Sequence, residues 1–105
     1  MGSFPLGIAF DGANIWVTIF CGTCNTVAKL RASDGTILGT FVVESEPAGV
    51  TFDGAKVWVT NASSNTVTKL RASDGTTLGT FAVGSFPIGV AFDGANIWVP
   101  NTAIR

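Results

Sequence analysis

Apolar and polar residues alternate along this chain in short runs, most of them closed by Gly or Asp. Residues 49–52, 57–60, 66–72 and 77–83 are such runs, rich in Val and Thr with Phe and Trp among them. Runs of this length and composition predict β-strands that turn one face to a core. Asp53-Gly54 separates the first two runs and Asp74-Gly75 the last two. Asp-Gly supplies the positive φ angles that tight hairpins between twisted strands require, so both junctions predict antiparallel pairing.

The same set of runs comes back along the chain. Trp16, Trp58 and Trp98 occupy one position of a repeat, 42 and then 40 residues apart. The stretch 4–17 returns at 46–59 and again at 86–99, and 25–41 returns at 65–81. Four antiparallel strands in about 40 residues make one blade of a β-propeller. The chain therefore predicts an all-β β-propeller fragment, with strands A to D numbered from the central channel outward, in the order ABCD-ABCD-AB. The units are a blade at 4–45, a blade at 46–85 and a half blade at 86–105. One blade cannot bury both of its faces, so Val50, Phe52, Val57, Trp58 and Val67 are expected to pack on their equivalents in a neighbour. The three innermost strands are expected at 7–10, 49–52 and 89–92, and two chains would supply six, within the roughly four to eight blades of natural propellers. The expected partner is a second copy: completion by homo-oligomerisation, as a homodimer, or as a trimer or larger ring if strands are swapped.

Two motifs carry a family resemblance. Pro-x-Gly-Val-Ala-Phe-Asp-Gly-Ala-Asn-Ile-Trp-Val at 87–99 and Ser-Asn-Thr-Val-x-Lys-Leu at 64–70 resemble bacterial β-propeller repeats related to virginiamycin B (streptogramin) lyase and to NHL-type blades. The resemblance covers nearly the whole chain and implies the blade fold, but such repeats serve enzymes, binders and scaffolds alike. In the lyase family it implies a full ring whose chemistry uses histidine, a carboxylate and a magnesium ion. This chain contains no histidine, so that chemistry has no position to be carried onto.

Composition sharpens the expectation of assembly. The chain is 47% hydrophobic but only 12% charged, against roughly 25% charged in an ordinary soluble domain, so much of its surface is expected to face protein. The net charge of −1, with six basic residues spread along the chain, offers no stripe that would neutralise phosphates, and nucleic acid is not an expected partner. No apolar run is long enough to span a bilayer and the start lacks a basic n-region, so the expectation is a cytoplasmic protein with no membrane partner.

The candidate chemistry is sparse. All five aspartates, Asp11, Asp34, Asp53, Asp74 and Asp93, stand in Asp-Gly turns, where hairpin geometry accounts for them. Glu44 and Glu46 stand apart, in the D-to-A connection, where the third unit carries Gly84 and Phe86; they would serve acid/base work or hold a cation, or else form a solvated loop. Lys29 and Lys69, with Arg31 and Arg71, are expected to blunt strand edges at the blade rim. The recurring tryptophans point to blade packing, with carbohydrate stacking as the competing role. One irregularity breaks the repeat: residues 19–24 contain Phe20, Cys21 and Cys24, two residues longer than the equivalent 61–64. The pair Cys21 and Cys24 would be half a zinc site or redox-active, yet it lacks the second pair or histidine a zinc site needs and the βαβ context of a thioredoxin-like motif, so reduced bystander thiols or an incidental disulfide are expected. The B-to-C and D-to-A loops share a face in this strand order, so Phe20, Glu44, Glu46 and Phe86 form the candidate ligand surface. No Ser-His-Asp, Cys-His or phosphate-loop motif can be assembled, so no catalytic residue and no cofactor are assigned. The expected function is a non-enzymatic self-assembling module, with a degenerate lyase-type enzyme, or a small-ligand or glycan binder, as the alternative.

Overall fold

The computed structural model describes residues 4–20, 25–83 and 89–99. Among these described residues ten strands form three antiparallel sheets. The first contains β1 (Phe4–Phe10), β2 (Asn14–Phe20), β3 (Thr26–Arg31) and β4 (Ile37–Val42) in sequential order. The second repeats that order with β5 (Pro47–Phe52), β6 (Lys56–Asn61), β7 (Thr66–Arg71) and β8 (Thr77–Ala82). The third is a two-strand pair, β9 (Ala91–Phe92) and β10 (Ile97–Trp98). Each sheet is an up-and-down meander, as hairpins with short loops dictate.

The two kinds of turn differ more than their shared Asp-Gly suggests. Between β5 and β6 the loop is tight: Asp53 N–H donates to Lys56 O at 3.0 Å, and φ is positive (97°) at Gly54. Between β7 and β8 the loop is wider, closed by Arg71 N–H to Thr76 O and by Gly75 N–H back to Arg71 O. The third inner strand is also shorter than expected, because only Ala91 and Phe92 pair, against Trp98 and Ile97. In the first two sheets both middle strands are held on two sides, whereas among the described residues β10 pairs with β9 alone.

The innermost strands explain the Pro-x-Gly motif. Pro5 and Pro47 lack the N–H a ladder needs, and the register of each inner hairpin shifts just after them. At the shift, Gly7 N–H donates to Thr18 Oγ1 (2.8 Å), and the Thr18 hydroxyl donates in turn to Ala48 O of the next sheet (2.6 Å). A Cβ at Gly7 would stand 2.5 Å from that same carbonyl, so the close approach of the first two sheets admits no side chain there.

The core lies between the first two sheets. Trp16, Val27 and Val43 from one side meet Val50, Val57, Val59 and Leu70 from the other, all buried, with Ala9, Phe41, Phe52 and Ala72 packed around them. Alternation sends the remaining apolar residues of the first sheet to its opposite face. There Ile8 pairs with Val17, Phe10 with Ile15, and Leu30 with both Ile15 and Ile37, and Ile8 is 69% exposed. Among the described residues no helix is long and apolar enough to cross a membrane.

Candidate functional site

Three arrangements recur or concentrate chemistry. The first is a clasp inside each inner hairpin. Asp11, Asp53 and Asp93 each accept two backbone N–H groups on Oδ1, from the second and third residues after them, at 2.7–2.9 Å. Their Oδ2 accepts the indole N–H of Trp16, Trp58 or Trp98 at 2.8, 2.8 and 2.6 Å. Partial burial pushes the Asp11 and Asp53 carboxyls up, but the bonds from the indole and the two amides outweigh it and hold both below the usual range. At Asp93 the Trp98 indole leads and the Asn96 and Ala95 amides follow, again lowering the pKa. Asp34 and Asp74 are lowered chiefly by the Thr36 and Thr76 bonds, with help from Arg31 and Arg71 at 3.1 Å. All five aspartates are thus turn residues, three with a second task that hairpin chemistry alone does not reveal. The signal was in the sequence as the constant five-residue step from Asp to Trp.

The second arrangement holds the candidate acids. Glu44 N–H donates to the buried Asn61 Oδ1 (3.1 Å), and Asn61 Nδ2 donates to Thr68 (2.9 Å) and Thr66 (3.2 Å). The Thr66 hydroxyl then donates to Glu44 Oε1 at 2.9 Å, closing a ring of bonds. Glu46 adopts a left-handed φ of 54° and accepts the Ser63 hydroxyl on its carboxylate, while its carbonyl accepts Ala62 N–H at 2.8 Å. Both glutamates therefore tie the connection between the first two sheets to the β6–β7 loop. Cys21, Cys24 and Phe86 lie outside the described residues, and Phe20 enters only through its backbone pairing with Phe4. Among the described residues no group of three or more His, Cys, Asp or Glu side chains comes together to hold a metal.

The third arrangement is the surface between sheets, and here Lys29 departs from the rim role expected of it. Its side chain is buried, with Nζ 5.3 Å from the Trp16 ring centre and donating to Ala72 O (2.9 Å) and Ser73 O (3.3 Å) of the second sheet. Alternation along strand C places the lysine on the interface and Leu30 on the free face; sequence shows the alternation but not which face meets the neighbour. Between the second sheet and β9–β10 the corresponding surface stays open, as a groove of about 210 Å³ lined by Trp58, Val67, Phe81, Val83, Ile97 and Val99.

Sheets of four antiparallel strands, stacked face on face with inner hairpins abutting, define a segment of a β-propeller. Solved structures agree. The chain superposes on hydrazine synthase of Kuenenia stuttgartiensis with a TM-score of 0.80 at 26% identity, covering 94% of this chain and 29% of that one. It superposes on a catalytically inactive variant of virginiamycin B lyase from Staphylococcus aureus, solved with quinupristin, at TM-score 0.77 and 22% identity, covering 91% and 33%. A functionally unknown protein from Desulfotomaculum acetoxidans gives 0.74 and 23%, covering 92% and 35%. The chain is a propeller segment whose blades are similar to those of virginiamycin B lyase, and it spans about a third of the length of these structures. Neither a family model nor a curated protein matches the sequence.

Proposed function

We propose that this chain is a non-enzymatic propeller module that completes its ring by associating with copies of itself and serves as an interaction scaffold. One observation carries the proposal: residues buried where the first two sheets meet have exposed copies at both ends of the stack. Val50 and Val57 are buried, whereas their copies Ile8 and Ile15 line the free face of the first sheet, with Ile8 69% exposed. Trp16 is fully buried, whereas Trp98 is 60% exposed. The two end faces are thus the two halves of an interface the chain already makes internally. A head-to-tail contact between them repeats by rotation and closes without a loose end.

The residues available for catalysis support the same reading. An enzyme acting through the loop face would draw on Glu44 and Glu46, and both carboxylates are engaged by hydroxyls of the adjoining loop. Light scattering on the purified chain at micromolar concentration tests the proposal. A dimer, presenting six inner strands, is the expected result; a larger closed ring would also support self-association. A monodisperse monomer would overturn it.

A further inference from the structure

Where the first two sheets meet, the outer hairpin β7–β8 does three things for the sheet before it. Its turn residue Gly75 carries the ring of Phe41: Gly75 is buried although it lies in a turn, and a Cβ there would overlap the ring. Leu70 is fully buried in the core cluster beside Trp16. The carbonyls of Ala72 and Ser73 receive the Lys29 ammonium.

One blade further on, the receiving half of this contact is built again. Trp58 and Phe81 stand with ring centres 5.9 Å apart and tilted by 32°, close to the 5.5 Å and 35° of Trp16 and Phe41. Lys69 sits 5.3 Å over Trp58, as Lys29 does over Trp16. The delivering half is missing among the described residues: β10 has no strand on its outer side, Phe81 is 47% exposed, and the 210 Å³ groove opens between them. We propose that this groove is an acceptor for a β-hairpin bearing the repeat's own C–D pattern, Asn-Thr-Val-x-Lys-Leu-Arg-Ala-Ser-Asp-Gly, supplied from outside the described residues. Among the described residues both such hairpins, β3–β4 and β7–β8, already pair with their own inner strands, so the occupant comes from outside them.

The register follows from the repeat. Val57 pairs with Leu70 and Trp58 with Lys69, so the incoming leucine stands opposite Ile97 and the incoming lysine opposite Trp98, over its indole face. Backbone bonds to the free edge of β10 provide affinity, and the seats at Phe81 and Trp58 provide selectivity, as in strand addition generally. This inference rests on reading the chain as a propeller segment, but not on its self-association.

The test adds a synthetic peptide of sequence 65–83 to the full chain and follows tryptophan emission and complex mass. The expected result is uptake of one peptide per chain with a blue shift, because Trp58 and Trp98 both lose water. A peptide carrying Gly75→Asn is the control, since asparagine tolerates the left-handed conformation that Gly75 adopts (φ 76°) but brings a Cβ into the Phe81 seat. It should bind at least tenfold more weakly, and Phe81→Ala in the chain should remove that difference. Equal binding of the two peptides overturns the proposal, as does unchanged emission and mass at a few hundred micromolar peptide. A chain that is monomeric yet takes up the peptide would sink the self-assembled ring while leaving this acceptor standing.

Discussion

Trp16, Trp58 and Trp98 have closely similar neighbours in sequence and the same aspartate clasp, yet they span the whole range from buried to exposed. Trp16 is sealed between two complete sheets; Trp58 faces a sheet of two strands and is half-buried; Trp98 faces none among the described residues and is 60% exposed. Local sequence sets the rotamer and the hydrogen bond, and the neighbouring blade sets the burial. In a stacked repeat, the energetic weight of a residue is therefore a property of its position in the stack.

Truncating the three indoles in turn is the largest way to break that comparison. Trp16→Ala removes a fully buried aromatic and should cost about 3–5 kcal/mol. Trp58→Ala should cost less than Trp16→Ala despite its central place in the sequence, and Trp98→Ala least of all in an isolated chain. Urea midpoints for the three variants check the order. A Trp98 loss that rises to match Trp16 would show that the end face is covered in solution, which is the outcome expected at concentrations where the ring is closed.

The lysines sharpen the same contrast on a smaller scale. Lys29→Met leaves the Ala72 and Ser73 carbonyls without their cation, and a hydrogen bond to a charged group is worth about 1.5–3 kcal/mol. Lys69→Met should change the melting temperature little, because its copy of that contact has no delivered carbonyl among the described residues. If the two variants melt alike, Lys29 contributes no more than its cation–π contact, which Lys69 shares.

Acid titration gives the smallest effect. All five aspartates have folded-state pKa values below the unfolded value, so their contribution is present above about pH 3.9 and is lost as pH falls through the lowered values. Stability should therefore hold flat down to about pH 4 and fall below it. Asp53→Asn should flatten that acid limb slightly. A decline beginning near pH 6 would point to groups other than these turns.

Much of this architecture was legible in the alternation and the repeat. Period-two runs bounded by Asp-Gly located the strands because hairpin chemistry is local, and the repeat supplied the stacking because one blade leaves both faces uncovered. Three things were not legible, each for a physical reason. The role of Lys29 depends on which face of strand C meets the neighbour, and alternation alone is symmetric in that respect. The bonds from Ser63 and Thr66 to Glu46 and Glu44 join residues 17 and 22 positions apart, a proximity created only by the closing of the loops. The shortness of β10 goes with the lack of a strand on its outer side among the described residues, which no property of its own residues records.

The aspartate–tryptophan clasp has a consequence for how such a chain changes over generations. Every polar group in the clasp finds its partner within seven consecutive residues, from Asp11 to Val17 or from Asp53 to Val59. The clasp therefore travels intact with an inner hairpin wherever it stands in the gene, and what each new place must supply is the ladder to a third strand. The contacts reaching across sheets, Thr18 to Ala48 and Lys29 to Ala72 and Ser73, must be rebuilt at each new junction as well. Repetition is thus inexpensive for the hairpin itself, and the demands fall on the junctions between sheets.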